Sequence, residues 1–342
     1  MRKLLLLFLL IVLAAVLAFQ ELQRRWQEPL ALPAEGLALL VQPGDTLRAV
    51  AGRLHSAGAL QHPELLIVYA RWTGADQKIK HGEYLLRAPL TAAQLLRLLQ
   101  SGKVLQYQVT LPEGITLRSA MAILADAEQL QRVLQAGGSD PGILAMVAPY
   151  ENPEGWFFPD TYHFSRGSTD LALLQRAHTR MQAVLAEEWR GRAAELPYET
   201  PYEALIMASI IERETGLPEE RGQIAGVFVR RLQRGMRLQT DPTVIYGLGD
   251  TFDGNLRRSH LRDDNNVYNT YRISGLPPTP IALPGRDSIH AALHPAAGSA
   301  LFFVARGDGG HVFSDTLAEH QAAVRKYQLR RNKNYRSSPE KS

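Results

Sequence analysis

Two glutamates, Glu212 and Glu214, stand one residue apart at the end of a run with almost no other polarity. Ala204 to Ile211 is apolar except for Ser209, Pro201 opens the run and Gly216 closes it, which is the pattern of a buried helix. Both carboxylates therefore fall in its last turn. A helix dipole favours acids at the N-terminus and opposes their ionisation at the C-terminus, and an apolar wall opposes it too. A glutamic acid so placed keeps its proton near neutral pH and can donate it to a leaving oxygen. At about 100° per residue, Glu214 shares a face with Met207, Ile210 and Ile211, and Glu212 one with Leu205, Ala208 and Ser209. Both faces are apolar, so periodicity does not choose between the acids. Either could equally be a solvated acid paired with Arg213 or with the Glu219, Glu220 and Arg221 cluster.

Several elements must position these acids. Pro218 opens a second helix with Ile224, Val227, Phe228 and Leu232 on one stripe, ending at Gly235. Arg237 to Tyr246 then crowds Gln239, Thr240, Asp241 and Tyr246 together, and Asp241 is also suited to cap a helix beginning at Pro242. Asn265 to Gly285 carries Tyr268, Asn269 and Tyr271 among four prolines, a stiff loop that holds its shape at low entropic cost. Glu154 to Tyr162 is dense in aromatics, suited either to a cleft wall or to a hydrophobic junction, and its Glu154 and Asp160 are competing carboxylates. Leu301 to Ala305 and His311 to Ser314 read as a hairpin across Gly307 to Gly310, and Thr316 caps a last helix to Leu329.

The segments Ile211-Glu-Arg-Glu-Thr215 and Arg231-Leu-Gln-Arg-Gly-Met-Arg-Leu-Gln-Thr-Asp-Pro-Thr-Val-Ile-Tyr-Gly247 resemble the endolytic murein transglycosylase (YceG-like) family. Tyr268-Asn-Thr-Tyr271, Gly275-Leu-Pro-Pro278, Pro284-Gly285 and His294-Pro295 are similar to its downstream motifs, and the likeness runs from about Pro153 to Tyr327, more weakly from Gly36 to Leu111. The resemblance implies a lytic transglycosylase cutting between N-acetylmuramic acid and N-acetylglucosamine inside nascent peptidoglycan strands, leaving 1,6-anhydro ends and ending strand elongation. It places the catalytic acid on Glu214, with Glu212 as the runner-up, and ring-orienting contacts on Gln239, Asp241, Tyr246, Tyr268 and Asn269. The rivals are a hydrolytic muramidase, with Asp241 or Glu212 as second carboxylate, and a non-catalytic glycan-binding scaffold of the synthesis machinery. Peptidoglycan strands are the expected partner, with peptidoglycan synthases as candidates.

Composition bounds the rest. The 342 residues, 45% hydrophobic and 21% charged, suit a globular chain of two or three domains. The absence of cysteine excludes disulfides, thiolate metal sites and a lipoprotein anchor. A net charge of +4 without basic blocks argues against nucleic acid. His163, His294, His311 and His320 lack metal-ligand spacing, so neither metal nor cofactor is expected. Leu4 to Phe19 holds no polar residue and follows Arg2 and Lys3, which predicts a single-pass anchor with a cytoplasmic N-terminus and an exported body; a cleaved signal peptide is the rival, with Val16-Leu-Ala18 as its cleavage motif. Val41 to Leu47, with its Pro43-Gly44 turn, then two helices and the strand near Tyr84, resembles a LysM module. The expected class is α+β: a cytoplasmic tip (1–3), transmembrane anchor (4–20), linker (21–37), LysM-like domain (38–110), mixed α+β catalytic domain (111–329) and disordered tail (330–342), in the cytoplasmic (inner) membrane.

Overall fold

The computed structural model describes residues 2–135 and 140–328. The tail from Arg330 and the Gly137 to Ser139 part of an expected loop lie outside these residues. The architecture is mixed α+β, in two compact units: Met1–Tyr107 with His163–Ser168, and Gln108–Tyr162 with Thr169–Ser342.

The first unit begins with α1 (Arg2–Gln27). Within its 22-residue Leu6–Gln27 segment, an 18-residue window has a mean hydropathy of 2.2 and none of it is buried. At about 1.5 Å per residue these 22 residues span about 33 Å, enough to cross a hydrocarbon core of about 30 Å. The helix runs past the expected end at Gln20 because Glu21 pairs with Arg24 (2.9 Å) and Arg25 (2.8 Å), one turn away on the same face. Strand β1 (Leu37–Val41) pairs antiparallel with β2 (Gly82–Leu86), Leu37 opposite Leu86 and Val41 opposite Gly82. Between them lie α2 (Leu47–Ser56) and α3 (Pro63–Thr73), and α4 (Ala92–Ser101) follows. Thr46 caps α2 through the Ala49 N–H, while Asp45 accepts the Gln42 N–H at 2.7 Å and so closes the turn. Val50, Leu54, Leu66, Tyr84, Leu95 and Leu99 form the centre of the core.

The chain passes between units within β3 (Tyr107–Thr110) and again within β4 (Thr161–Phe164). Between these strands the second unit holds α5 (Leu117–Asp126) and α6 (Pro141–Val147). Its helical body is α7 (Asp170–Arg190), α8 (Pro201–Glu214) and α9 (Pro218–Gln233), followed by α10 (Asp241–Leu248) and α11 (Arg286–Leu293). Strands β5 (Phe302–Ala305) and β6 (His311–Ser314) form a hairpin with Phe302 opposite Ser314, and α12 (Leu317–Tyr327) closes the unit behind a Thr316–Glu319 capping box. Helix α8 lies at the centre: every residue from Ala204 to Ile211 is buried. A Thr200–Glu203 capping box starts it, and Thr215, in extended backbone, stops it one residue before the glycine. Ser209, the polar exception, donates to the Ile206 carbonyl (2.7 Å) and accepts the Ile281 N–H (3.0 Å), so its burial leaves nothing unpaired.

Candidate active site

The last residue of α8 delivers Glu214 to the floor of a cleft of about 620 Å³, entirely within the second unit. The Thr240 hydroxyl donates to Glu214 Oε1. Thr240 is itself locked: its N–H donates to Thr270 Oγ1 (3.0 Å), and its carbonyl accepts from Thr243 Oγ1 (2.8 Å) and Thr270 Oγ1 (3.3 Å). These three threonines are buried, and Gln239 before them has φ = 51°, a left-handed conformation that a side chain rarely adopts. The Gln239 N–H is held on the Thr270 carbonyl at 3.2 Å, and its exposed side chain lines the cleft. Among the described residues, no protein group hydrogen-bonds Glu214 Oε2, so that oxygen remains for a ligand.

Burial raises the Glu214 pKa to about 7; the Thr240 hydroxyl pulls it down, Asp241 pushes it up and Arg231 pulls it down, and desolvation dominates. Arg231 is buried in the same cleft, with Nε on the Leu301 carbonyl and Nη1 on the Leu238 carbonyl, both 2.7 Å, and its guanidinium over the Phe302 ring. Asp241, exposed on the cleft wall, accepts from the Tyr271 hydroxyl at 2.7 Å. His311 also lines the cleft; Glu220 takes its N–H (2.8 Å) and faces its Nδ1 (2.7 Å). The arrangement is one proton-bearing carboxyl, a nearby fixed cation and a wall of hydroxyl, amide and carboxylate groups, which suits acid–base chemistry on a polyhydroxylated ligand.

Glu212 points elsewhere. Its Oε2 accepts the Gly285 N–H at 3.0 Å, and its Oε1 lies 3.6 Å from Arg221, which also pairs with Asp287 (3.2 Å) and Glu113 (3.6 Å). A Cβ at Gly285 would stand 1.9 Å from Glu113 Oε1, so a side chain there would push the Glu113 carboxylate aside. Glu212 thus ties α8 to the loop before α11.

The three aromatic and amide candidates downstream are not gathered around Glu214. Tyr246 lines a second cleft, of about 780 Å³, and donates to Glu154 Oε2 at 3.2 Å. Tyr268 stands edge-on to Tyr246 (4.9 Å) with its hydroxyl 2.9 Å from Thr279 Oγ1. Asn269 is fully buried: its amide donates to the His260 and Asp263 carbonyls (3.1 and 2.9 Å) and accepts the Tyr271 N–H (3.1 Å). With its side-chain amide hydrogen-bonded within the loop, Asn269 shapes the backbone carrying Tyr271. Glu154 has its pKa raised to about 7 by burial, but both oxygens are occupied, by the Leu117 N–H (2.8 Å) and by Tyr246. Asp160 accepts the Thr161 N–H, a turn contact.

Arg231, Tyr271 and His311 were not among the expected site residues. One signal was available: Glu220, Ile224, Val227 and Arg231 share a helical stripe, so two charged residues sit on an otherwise apolar face. The fold also gathers Glu188, His290 and His294, whose donor atoms lie within 4.8 Å of one another, a proximity the histidine spacing had not indicated. There the carboxylate already holds Arg286 (2.8 Å) and His290 (2.8 Å), and His294 Nε2 faces the Gly191 carbonyl (2.7 Å).

Residues 39–326 match the profile of the YceG-like family. The chain belongs to the YceG-like family. Within it, this chain is similar to the endolytic murein transglycosylase of Bacillus subtilis, 30% identical over 304 residues that cover 84% of this chain and 83% of the relative. It is 27% identical to the endolytic murein transglycosylase of Streptococcus pneumoniae (strain D39) over 80% of this chain and 55% of that longer protein. Among solved structures it is similar to a yceG-like protein of Listeria monocytogenes, with a TM-score of 0.56 and 26% identity, covering 85% of this chain and 99% of the other. The YceG-like match takes in both units, from β1 to α12.

Proposed function

We propose that this chain is a peptidoglycan lytic transglycosylase in which Glu214 is the single acid–base. The observation that carries the reading is Glu214 itself, buried enough to hold a proton up to about pH 7, yet with one oxygen facing the cleft and unclaimed by the protein. The names of the two curated relatives supply the substrate, murein, and the endolytic mode. Most glycosidases need two carboxylates. A transglycosylase does not, because the 6-hydroxyl of the muramic acid ring attacks its own anomeric carbon. Glu214 gives its proton to the oxygen leaving with N-acetylglucosamine, and the resulting carboxylate takes the proton of the 6-hydroxyl as the 1,6-anhydro bond forms. The proton count closes and no water is consumed. Arg231 stabilises the carboxylate between the two transfers, and Gln239, Asp241 and Tyr271 are placed to hydrogen-bond the sugar.

Helix α1 is the membrane anchor in this reading, with the body on the outer side of the cytoplasmic membrane, and cleavage of nascent strands ends their elongation. The strand–helix–helix–strand order of the small unit, β1 to β2, supports a LysM-like glycan-binding role for residues 38–110. The domain scheme follows: tip 1–3, anchor 4–20, linker 21–37, and a catalytic body over 111–329.

One observation favours a second reading: Asp241 lines the same cleft as Glu214, so a hydrolytic muramidase has its second carboxylate. Mass spectrometry of the reducing ends separates the two. Glycan strands incubated with the protein should yield 1,6-anhydro ends, lighter by one water than hydrolytic ends. Hydrolytic ends would overturn the transglycosylase reading, and intact strands would favour a non-catalytic scaffold.

A further inference from the structure

Helix α3 carries more apolar surface than its unit can bury. Leu66 and Ala70 lie in the core, but Leu65, Val68, Tyr69 and Trp72 fall at i, i+3, i+4 and i+7 on another face. Val68 is 66% exposed and Trp72 is 84% exposed. An apolar stripe in water on a folded unit marks an interaction surface. The end of α1 lies against this stripe. The Trp26 ring is 4.3 Å from the Tyr69 ring, and Tyr69 meets Trp72 edge-on at 6.5 Å. Trp72 is therefore no farther from Trp26 than those two steps laid end to end. Trp26 is the penultimate residue of the candidate span Leu6–Gln27, where the apolar run has given way to the polar and charged residues Gln20–Arg25. Tryptophan and tyrosine concentrate at the headgroup level of a bilayer, and a helix lying in that layer buries its apolar face about 5–10 Å deep.

We propose that the Val68, Tyr69 and Trp72 face of α3 is a second membrane contact, seated in the headgroup layer of the bilayer that α1 spans. The proposal rests on the reading of α1 as a retained anchor. Its occupant is the lipid surface, because the stripe is continuous with the aromatic end of α1 through Tyr69. A sugar stacked on Trp72 would need hydrogen-bonding groups around the ring, and its neighbours on the stripe are Val68 and a single phenol. Two contacts, α1 and α3, then fix the tilt of the small unit to the bilayer, where α1 alone would leave it free to swing.

The chain has no cysteine, so a single nitroxide can be attached at a chosen position of the full protein. The full chain, carrying Val16→Cys, Val68→Cys, Arg71→Cys or Trp72→Cys, would be reconstituted in phosphatidylethanolamine/phosphatidylglycerol nanodiscs. Collision of each label with oxygen, which enters lipid, and with a nickel chelate, which does not, reports its depth. The oxygen-to-nickel ratio at positions 68 and 72 should exceed that at 71 and stay below that at 16. Ratios at 68 and 72 equal to that at 71, with position 16 still shielded, overturn the proposal and leave the anchor standing. A nickel-accessible label at 16 removes the anchor and the proposal with it. Labels at 68 and 72 that become shielded only when soluble glycan strands are added overturn it in favour of a sugar-binding face.

Discussion

Replacing Glu214 by Gln keeps the shape and the Thr240 hydrogen bond but removes the titratable proton, so the difference between wild type and variant isolates one group. In the folded protein the Glu214 pKa is about 7 against an ordinary 4.5. The folded state then binds this proton more tightly than the unfolded chain, and wild-type stability falls as pH rises between the two midpoints. Below about pH 4.5 the carboxyl is neutral in both states and costs nothing. Each pH unit above that costs up to about 1.4 kcal/mol, and the loss levels off above about pH 7 at no more than about 3.5 kcal/mol. Solvent reaching Glu214 through the cleft brings the expected value to about 1–3 kcal/mol. Glu154, with its pKa raised to about 7 as well, titrates in the same window but in both proteins, and cancels in the difference. Urea unfolding from pH 4 to 9, followed by the fluorescence of Trp156 and Trp189 in the second unit, measures it. Glu214→Gln should match the wild type at pH 4 and be the more stable protein at pH 9. A variant less stable at pH 9, with a gap that closes on acidification, would mean a lowered pKa; Glu214 would then be an ion-paired acid with no proton to give.

Other changes test the neighbours. Glu214→Gln should lower the cleavage rate by about 10²–10⁴-fold, measured as release of anhydro-muropeptides, while Glu212→Gln should keep most activity and instead lose about 1–3 kcal/mol of stability through Arg221 and Gly285. Activity of the wild type should fall as pH rises through about 7, where the general acid is lost. Thr240→Val removes a hydrogen bond that holds the Glu214 pKa down, so the alkaline limb of the pH–rate profile should move to higher pH; an unmoved limb would detach that limb from Glu214. Gly285→Ala should cost no more than about 1 kcal/mol in thermal or urea unfolding, because the new methyl only displaces the half-exposed Glu113 carboxylate from its place beside Arg221.

Local chemistry was enough to read the centre of the protein. Pro201, Gly216 and eight residues with one hydroxyl among them specify a buried helix that ends in acids, and no partner is needed to see it. The apolar run of α1, the Thr46 and Thr316 caps and the hairpin before α12 are legible for the same reason: their signals lie within a few residues of one another. Which glutamate faces the cleft was not legible, because both wheel faces are apolar and the deciding groups are distant. Glu212 is claimed by Arg221 and by Gly285, 73 residues on, while Glu214 is met by Thr240 on a loop fixed by Thr270. The same holds for Tyr246, whose hydroxyl donates to Glu154, 92 residues back, while Tyr268 and Asn269 find their partners close by, in Thr279 and the loop carbonyls. It holds for the return of His163–Ser168 to the first unit, which no local pattern announces. A sequence states which groups a segment can offer to its neighbours in the chain. Burial and pairing depend on segments far along it, and only the packed structure determines which offered group is satisfied by protein and which is left for a substrate.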